Sequence, residues 1–225
     1  MPEPRSAQAS ARAPRYSRDE SEFDRAIAFI DATFAVALTL LITGLDVSDP
    51  SSAFRSLSAL ADAVGAQFIS FVIAFTVIAS YWLMHHRMVA SFVALDTANI
   101  VANLCLLATI VLLPFSTASV GDPSTAELPL ATALMAVNVA AVSTLYTVVW
   151  IMASRRRLLD QTPTAGEWRQ HLLAGLAPAA VFLASIPIAY LASPDVARLS
   201  WLALVVVNPV VAGLAAPTAR TGRVD

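Results

Sequence analysis

The sequence contains no lysine, a single cysteine and only seven glycines among 225 residues, and 13% of it is charged. Each scarcity excludes something. A water-soluble domain carries roughly a quarter of its residues as charges, so a chain this poor in them lacks the polar surface to stand in water. The lone Cys105 excludes an intrachain disulfide. The scattered glycines build neither a phosphate-cradling loop nor a carbonyl-lined filter of the TVGYG kind. No nucleophile elbow and no metalloprotease pattern occurs, so the chain reads as a non-enzyme with no catalytic residue, no bound metal and no cofactor. A net charge of −2 gives no electrostatic basis for a nucleic-acid partner.

What is present is apolar. Hydrophobic residues make up 57% of the chain and the mean hydropathy is +0.69. They fall in long blocks, and a block of about 20 residues at 1.5 Å per residue matches a bilayer core of roughly 30 Å. Six blocks are predicted as spans: Arg25 to Leu45, Leu57 to His85, Phe92 to Phe115, Leu128 to Met152, Leu172 to Leu191 and Val196 to Ala215. Turn-forming stretches such as DVSDPSS, GDPSTAELP, QTPTAGE and ASPD separate them. No strand alternation is visible, and hydrocarbon offers backbone groups no partner outside a helix. The expected fold class is all-α: a polytopic membrane protein with six transmembrane helices, whose first partner is the lipid bilayer. Residues 1–24 read as a disordered cytoplasmic tail rather than a signal peptide. Residues 25–217 form the six-helix domain, and residues 218–225 a short cytoplasmic tail.

The arginines test this topology. With the N-terminus inside, Arg5, Arg12, Arg15, Arg18, Arg25, Arg87, Arg155, Arg156, Arg157, Arg169, Arg220 and Arg223 all fall on the inner side, and only Arg55 and Arg198 fall outside. Positive charge concentrates on the cytoplasmic side of membrane proteins, so both ends are expected in the cytoplasm. Tyr81, Trp82, Tyr146 and Trp150 fall near inner span ends, and Tyr190 and Trp201 near outer ends, depths that suit amphipathic rings. Pro178, Pro187 and Asn208-Pro209 are expected to bend the last two spans.

The first span carries the most informative residues. Asp31 lies about two turns inside it, where a carboxylate needs a partner or the interface. Arg25, His85 and His86 share its depth and are candidate partners. The alternative is that Asp31 complements the helix dipole near the headgroups. Val36, Thr39 and Thr43 stand at i, i+3 and i+7 on one narrow face. Such a stripe serves either close helix packing or a pore wall, where hydroxyls replace hydration and an aliphatic ring resists wetting. His85 and His86 point about 100° apart on a helix, and with only His171 and Cys105 besides them they support no zinc site. Asp96, Asn99 and Asn103 share one face of the third span and read as interhelical glue.

These residues resemble a known family. Arg25, Phe29 and Asp31, followed by Phe34 and the run Ala35 to Leu41, are similar to the RxxxFSD signature of the bacterial members of the endosomal/lysosomal potassium channel family (transmembrane protein 175 type). Tyr81-Trp82 and His85-His86-Arg87 in the second span, and Asn103-Leu104 and Leu112 to Phe115 in the third, continue the likeness over roughly residues 25–117. The resemblance implies a homotetramer whose first helices line a central potassium pore. It implies an aliphatic constriction at Val36, further pore positions at Thr39 and Thr43, and a network of Arg25, Phe29, Asp31 and a second-span histidine, His85 or His86, holding the helix. The sequence departs at Ile30, where the family has serine, and at Val36, a smaller side chain than the usual isoleucine or leucine, which implies a wider or wetter constriction.

Three functions remain in view. A potassium-permeable channel would form its pore at a subunit interface. A proton-coupled carrier would use Asp31, His85 and His86 as relay groups. A non-transporting scaffold would use its polar groups only to join helices.

Overall fold

The computed structural model describes residues 14–204. Ser21–Leu40 forms α1, with Glu22 and Asp24 in its first turn, where negative charge favours a helix start. It buries Phe23, Ile30, Phe34 and Ala37, a stripe of helical spacing that Leu41 continues in a 3₁₀ turn over Leu41–Gly44. A short α2, Pro50–Ala53, follows, capped by Asp49, whose carboxylate accepts the N–H groups of Ser51 and Ser52. The Ser51 and Ser52 hydrogen bonds hold that carboxyl below its ordinary range. Then α3 runs unbroken from Leu57 to Ala90, capped by Ser56. Its 34 residues amount to about 51 Å at the helical rise, so it outruns the hydrocarbon and extends past the His85 end expected from hydropathy.

The next segment corrects two expectations. Ala94–Asp96 is a strand, β2, paired antiparallel with β1, Arg15–Ser17, in the register Arg15 to Asp96. Part of the tail expected to be disordered over residues 1–24 therefore has regular structure, the strand Arg15–Ser17 and the first turn of α1 from Ser21, and the third span does not start at Phe92. It starts at Thr97, where Asp96 caps α4 (Thr97–Gly121) by accepting the Asn99 N–H at 2.9 Å. The isolated pairing of Phe92 with Leu159 and the bond from Val93 N–H to Leu158 O tie the same segment to the far end of α5. Strands of three residues need only a few backbone pairs and no alternating face, so they leave no periodic trace in the sequence.

α5, Pro129–Arg155, is the most enclosed span and packs along both α4 and α6. α6 spans Ala165–Leu191 and begins with a capping box between Thr164 and Glu167, two turns ahead of the Leu172 start that hydropathy suggested. It continues as one helix through Pro178 and Pro187. α7, Pro194–Ser200, and a 3₁₀ turn over Trp201–Ala203 open the sixth predicted span. The rest of that span, with Asn208-Pro209, lies outside the described residues. Five helices among the described residues are long and apolar enough to cross a bilayer.

The α5–α6 contact depends on one glycine. A Cβ on Gly175 would fall 2.1 Å from Thr147 Oγ1 and 3.3 Å from Thr147 Cβ. Thr147 is buried, and its hydroxyl is already bound to Ser143 O. Gly175→Ala is expected to destabilise the protein by about 1–3 kcal/mol through overpacking. Thr147→Ala in the same chain should recover part of that loss. Thermal unfolding of the purified protein in detergent measures both, and an unchanged melting temperature for Gly175→Ala would contradict this packing.

Candidate pore face and its anchoring network

α1 presents two faces. The stripe from Phe23 to Leu41 is buried against α3 and α4. The opposite face is open along its whole length: Phe29, Ala32, Val36, Thr39, Leu40, Ile42 and Thr43 are exposed, with Val36 at 53% and Ile42 at 59%. The three expected pore positions, Val36, Thr39 and Thr43, therefore all lie on the outward face. Among the described residues no helix covers them, so the stripe does no packing against that part of the protomer.

The hydroxyls of that face have a fixed polarity. Thr39 Oγ1 donates to Val36 O at 2.8 Å, and Thr43 Oγ1 donates to Leu40 O at 2.7 Å. Each hydroxyl proton is thus held by the helix backbone, and each oxygen shows its remaining lone-pair density outward. A face built this way offers acceptors, which suits a cation.

The anchoring network differs from the expected one. Asp31 Oδ1 accepts a hydrogen bond from Trp82 Nε1 at 3.0 Å. His86 joins only through that indole, its ring 5.5 Å from Trp82 at 32°. His85 turns elsewhere. It is buried beside Phe34, ring centroids 5.8 Å apart, and its Nε2 lies 2.8 Å from Asn103 Oδ1. Asn103 Nδ2 donates to Asn99 O and Oδ1, so its oxygen faces the imidazole and Nε2 carries the proton. Asn99 Nδ2 in turn donates to Val149 O at 3.2 Å. Arg25 and Phe29 are exposed and form no hydrogen bond with this set. The expected direct pairing of Asp31 with Arg25, His85 or His86 is thus replaced by a Trp82 bond. The reason is geometric: His85 sits on the buried stripe Ile78–Tyr81–His85–Met88 of α3 that faces the core, while Trp82 and His86 share the neighbouring face.

Sequence reasoning missed three further arginine contacts at this end of the bundle. Arg156 Nε pairs with Asp96 Oδ2. Arg15 Nη2 donates to the carbonyls of Arg156 and Arg157 at 2.7 and 3.2 Å. Arg18 Nη1 likewise donates to Ala90 O and Phe92 O at 2.8 and 3.0 Å. Together with the β1–β2 pair they form a collar that binds the chain ahead of α1 to the α3–α4 and α5–α6 connections. A half-buried tryptophan N–H seeks an acceptor, which was the one sequence signal that could have found the Asp31 bond.

A cavity of about 400 Å³ between α3, α5 and α6 is separate from this face. It is lined by Tyr81, Ser143, Tyr146, Phe182 and others, and neither Asp31 nor any histidine reaches it. Tyr81 and Ser143 satisfy each other across it at 2.5 Å. Among the described residues no cluster of three or more His, Cys, Asp or Glu could hold a metal ion.

Comparison with known proteins converges on one family. Residues 25–114 match the family model described as endosomal/lysosomal potassium channel TMEM175. A potassium channel of Streptomyces collinus is 33% identical over 105 residues, covering 45% of this chain and 49% of that protein. The chain therefore matches about half the length of this curated relative. The crystal structure of a lysosomal potassium-selective channel TMEM175 homologue from Chamaesiphon minutus superposes with a TM-score of 0.64 at 20% identity, covering 87% of this chain and 99% of that one. A variant of the potassium channel MtTMEM175, solved with a nanobody–MBP fusion protein, gives 0.62 at 17% identity over 91% and 95% of the two chains. The first three spans carry the TMEM175 sequence pattern, and the helical fold is that of the bacterial TMEM175 structures.

Proposed function

We propose that this multi-pass membrane protein, with a TMEM175-type sequence over residues 25–114 and the fold of bacterial TMEM175 structures, is a passive potassium-permeable channel. In this reading four copies assemble around an axis with α1 innermost. The observation that carries it is the open face of α1. A helix with an aliphatic and hydroxyl stripe that no other element among the described residues covers finds its partner in the same stripe of other copies.

The mechanism follows from the side chains. Val36 narrows the path with an apolar ring that water wets poorly, so an ion must shed hydration to pass. Thr39 and Thr43, outward of it, offer oxygen acceptors in place of the lost water. Valine is small for such a ring, so discrimination between potassium and sodium is expected to be modest. Asp31 and Trp82 act as positioning residues that fix the rotation of α1 about its own axis. Conduction down a gradient needs no cofactor, with potassium itself as the permeating species. The arginine distribution supports six crossings with both termini cytoplasmic, and the likeness to a bacterial potassium channel supports placing them in a bacterial inner membrane.

A proton-coupled carrier fits the geometry less well, because Asp31 and His85 do not meet and neither lines the large cavity. Purified protein in liposomes decides the matter. Potassium should leave loaded vesicles faster than sodium, without saturation and without a proton gradient. Vesicles with and without protein that leak potassium equally would overturn the reading.

A further inference from the structure

α5 ends in a conformation its sequence does not favour. Leu158 N–H bonds to Ala153 O at 2.9 Å and Arg157 N–H to Ser154 O at 3.2 Å, the paired bonds of a Schellman termination. That termination requires a left-handed residue, and here it is Arg157, with φ 54, the one non-glycine residue of positive φ among the described residues. Glycine is favoured at such a position because a Cβ there strains the backbone. A long cationic side chain retained on a strained residue points to a role outside the backbone itself.

The surroundings show what that role involves. Arg155, Arg156 and Arg157 are consecutive, and each is exposed. Arg156 is engaged by Asp96. Arg15, held on the carbonyls of Arg156 and Arg157, places a fourth guanidinium on the same turn. The guanidinium groups of Arg155 and Arg157 have no protein partner among the described residues. Among the nearby carboxylates, Asp96 is taken by Arg156 and Glu167 closes the capping box with Thr164, while Asp160, after the cluster, and Asp19 and Glu20, after Arg15, are exposed and form no ion pair with these arginines. The 27 residues of α5 measure about 40 Å, against roughly 30 Å of hydrocarbon. Its end therefore stands among headgroups, with the Trp150 and Trp168 rings in edge contact at 4.7 Å one to two turns away.

We propose that Arg155 and Arg157, with Arg15 beside them, cradle the phosphodiester of an anionic phospholipid headgroup. Guanidinium forks match phosphate oxygens in geometry as well as charge. The proposal needs only that α5 crosses the membrane, and it stands whether or not the protein conducts.

The test uses the full-length protein in neutral detergent, titrated with phosphatidylglycerol, phosphatidylcholine or inorganic phosphate, with lipid retention and melting temperature as readouts. Phosphatidylglycerol should bind and raise the melting temperature; the other two should not. Arg157→Gly should weaken phosphatidylglycerol binding about five-fold, the usual worth of one arginine at an anionic surface. The same substitution should raise the melting temperature without lipid by about 2–4 °C by relieving the left-handed strain. A merely structural arginine would not give that opposed pair of changes. Arg155→Gln should weaken binding similarly, while Arg55→Gln at the other end should not. Unchanged phosphatidylglycerol binding in both Arg157→Gly and Arg155→Gln overturns the proposal. An equal response to phosphatidylcholine, or to inorganic phosphate, overturns the assignment to an anionic lipid.

Discussion

Val36→Trp is expected to reduce potassium flux to the leak of protein-free vesicles while leaving the melting temperature of the protein unchanged. The two halves of that expectation come from one fact: Val36 is 53% exposed and lies on a face with no partner among the described residues. An indole there displaces nothing within the chain, so folding of the protomer is indifferent to it. In the proposed tetramer, however, the same substitution would introduce four indoles into the ring proposed for Val36, and a bulky apolar plug both fills and dewets such a path. Val36→Ala acts in the opposite direction, raising flux and lowering the preference for potassium over sodium. Leu183→Trp is the control, because Leu183 is also exposed but lies on α6. Stopped-flow measurement of potassium leaving loaded vesicles separates these cases. If Val36→Trp conducted like the parent, α1 would face lipid and the pore would have to be sought elsewhere.

Arg156→Ala is expected to cost about 2–3 kcal/mol, more than any surface ion pair is worth. The asymmetry of the pair explains the size. The Asp96 side chain is 3% exposed and that of Arg156 41%. Removing Arg156 leaves a carboxylate buried with only the Asn99 N–H for company. Removing Asp96 instead releases an arginine that can turn to water, so Asp96→Ala loses mainly the helix cap, about 0.5–2 kcal/mol. Asp96→Asn combined with Arg156→Ala should be more stable than Arg156→Ala alone, because the buried charge is gone. Chemical or thermal unfolding of the parent, Arg156→Ala, Asp96→Asn and the double variant gives the cycle. An Arg156→Ala protein within about 0.5 kcal/mol of the parent would mean that Asp96 is reached by water.

The spans were legible because the bilayer imposes a length and a composition on each of them. Hydropathy therefore placed the first five well, and helical spacing put Val36, Thr39 and Thr43 on one face. Hydropathy served less well where a helix leaves the hydrocarbon. α3 continues through His85, His86 and Arg87 to Ala90, and α6 begins at Ala165, because capping and packing, not apolarity, set those ends. The Thr164–Glu167 capping box was readable in principle, as a threonine followed three residues later by glutamate ahead of an apolar run. The Asp31–Trp82 bond was only hinted at by a tryptophan N–H in need of an acceptor, since nothing local distinguishes which of several polar groups at one depth will face a carboxylate on another helix. The β1–β2 pair was hidden for a similar reason: it joins residues 15–17 to residues 94–96 across the whole length of α1 and α3, and only the assembled bundle brings them together.

That short pair also decides where the protein can be handled. Because Arg15–Ser17 is stitched to the neighbouring strand four residues before Ser21, a fluorophore, affinity peptide or surface tether attached ahead of Pro14 hangs from a fixed post. A pull on it loads the collar of loops first, and α1 is shielded from tugging until those few backbone bonds give way.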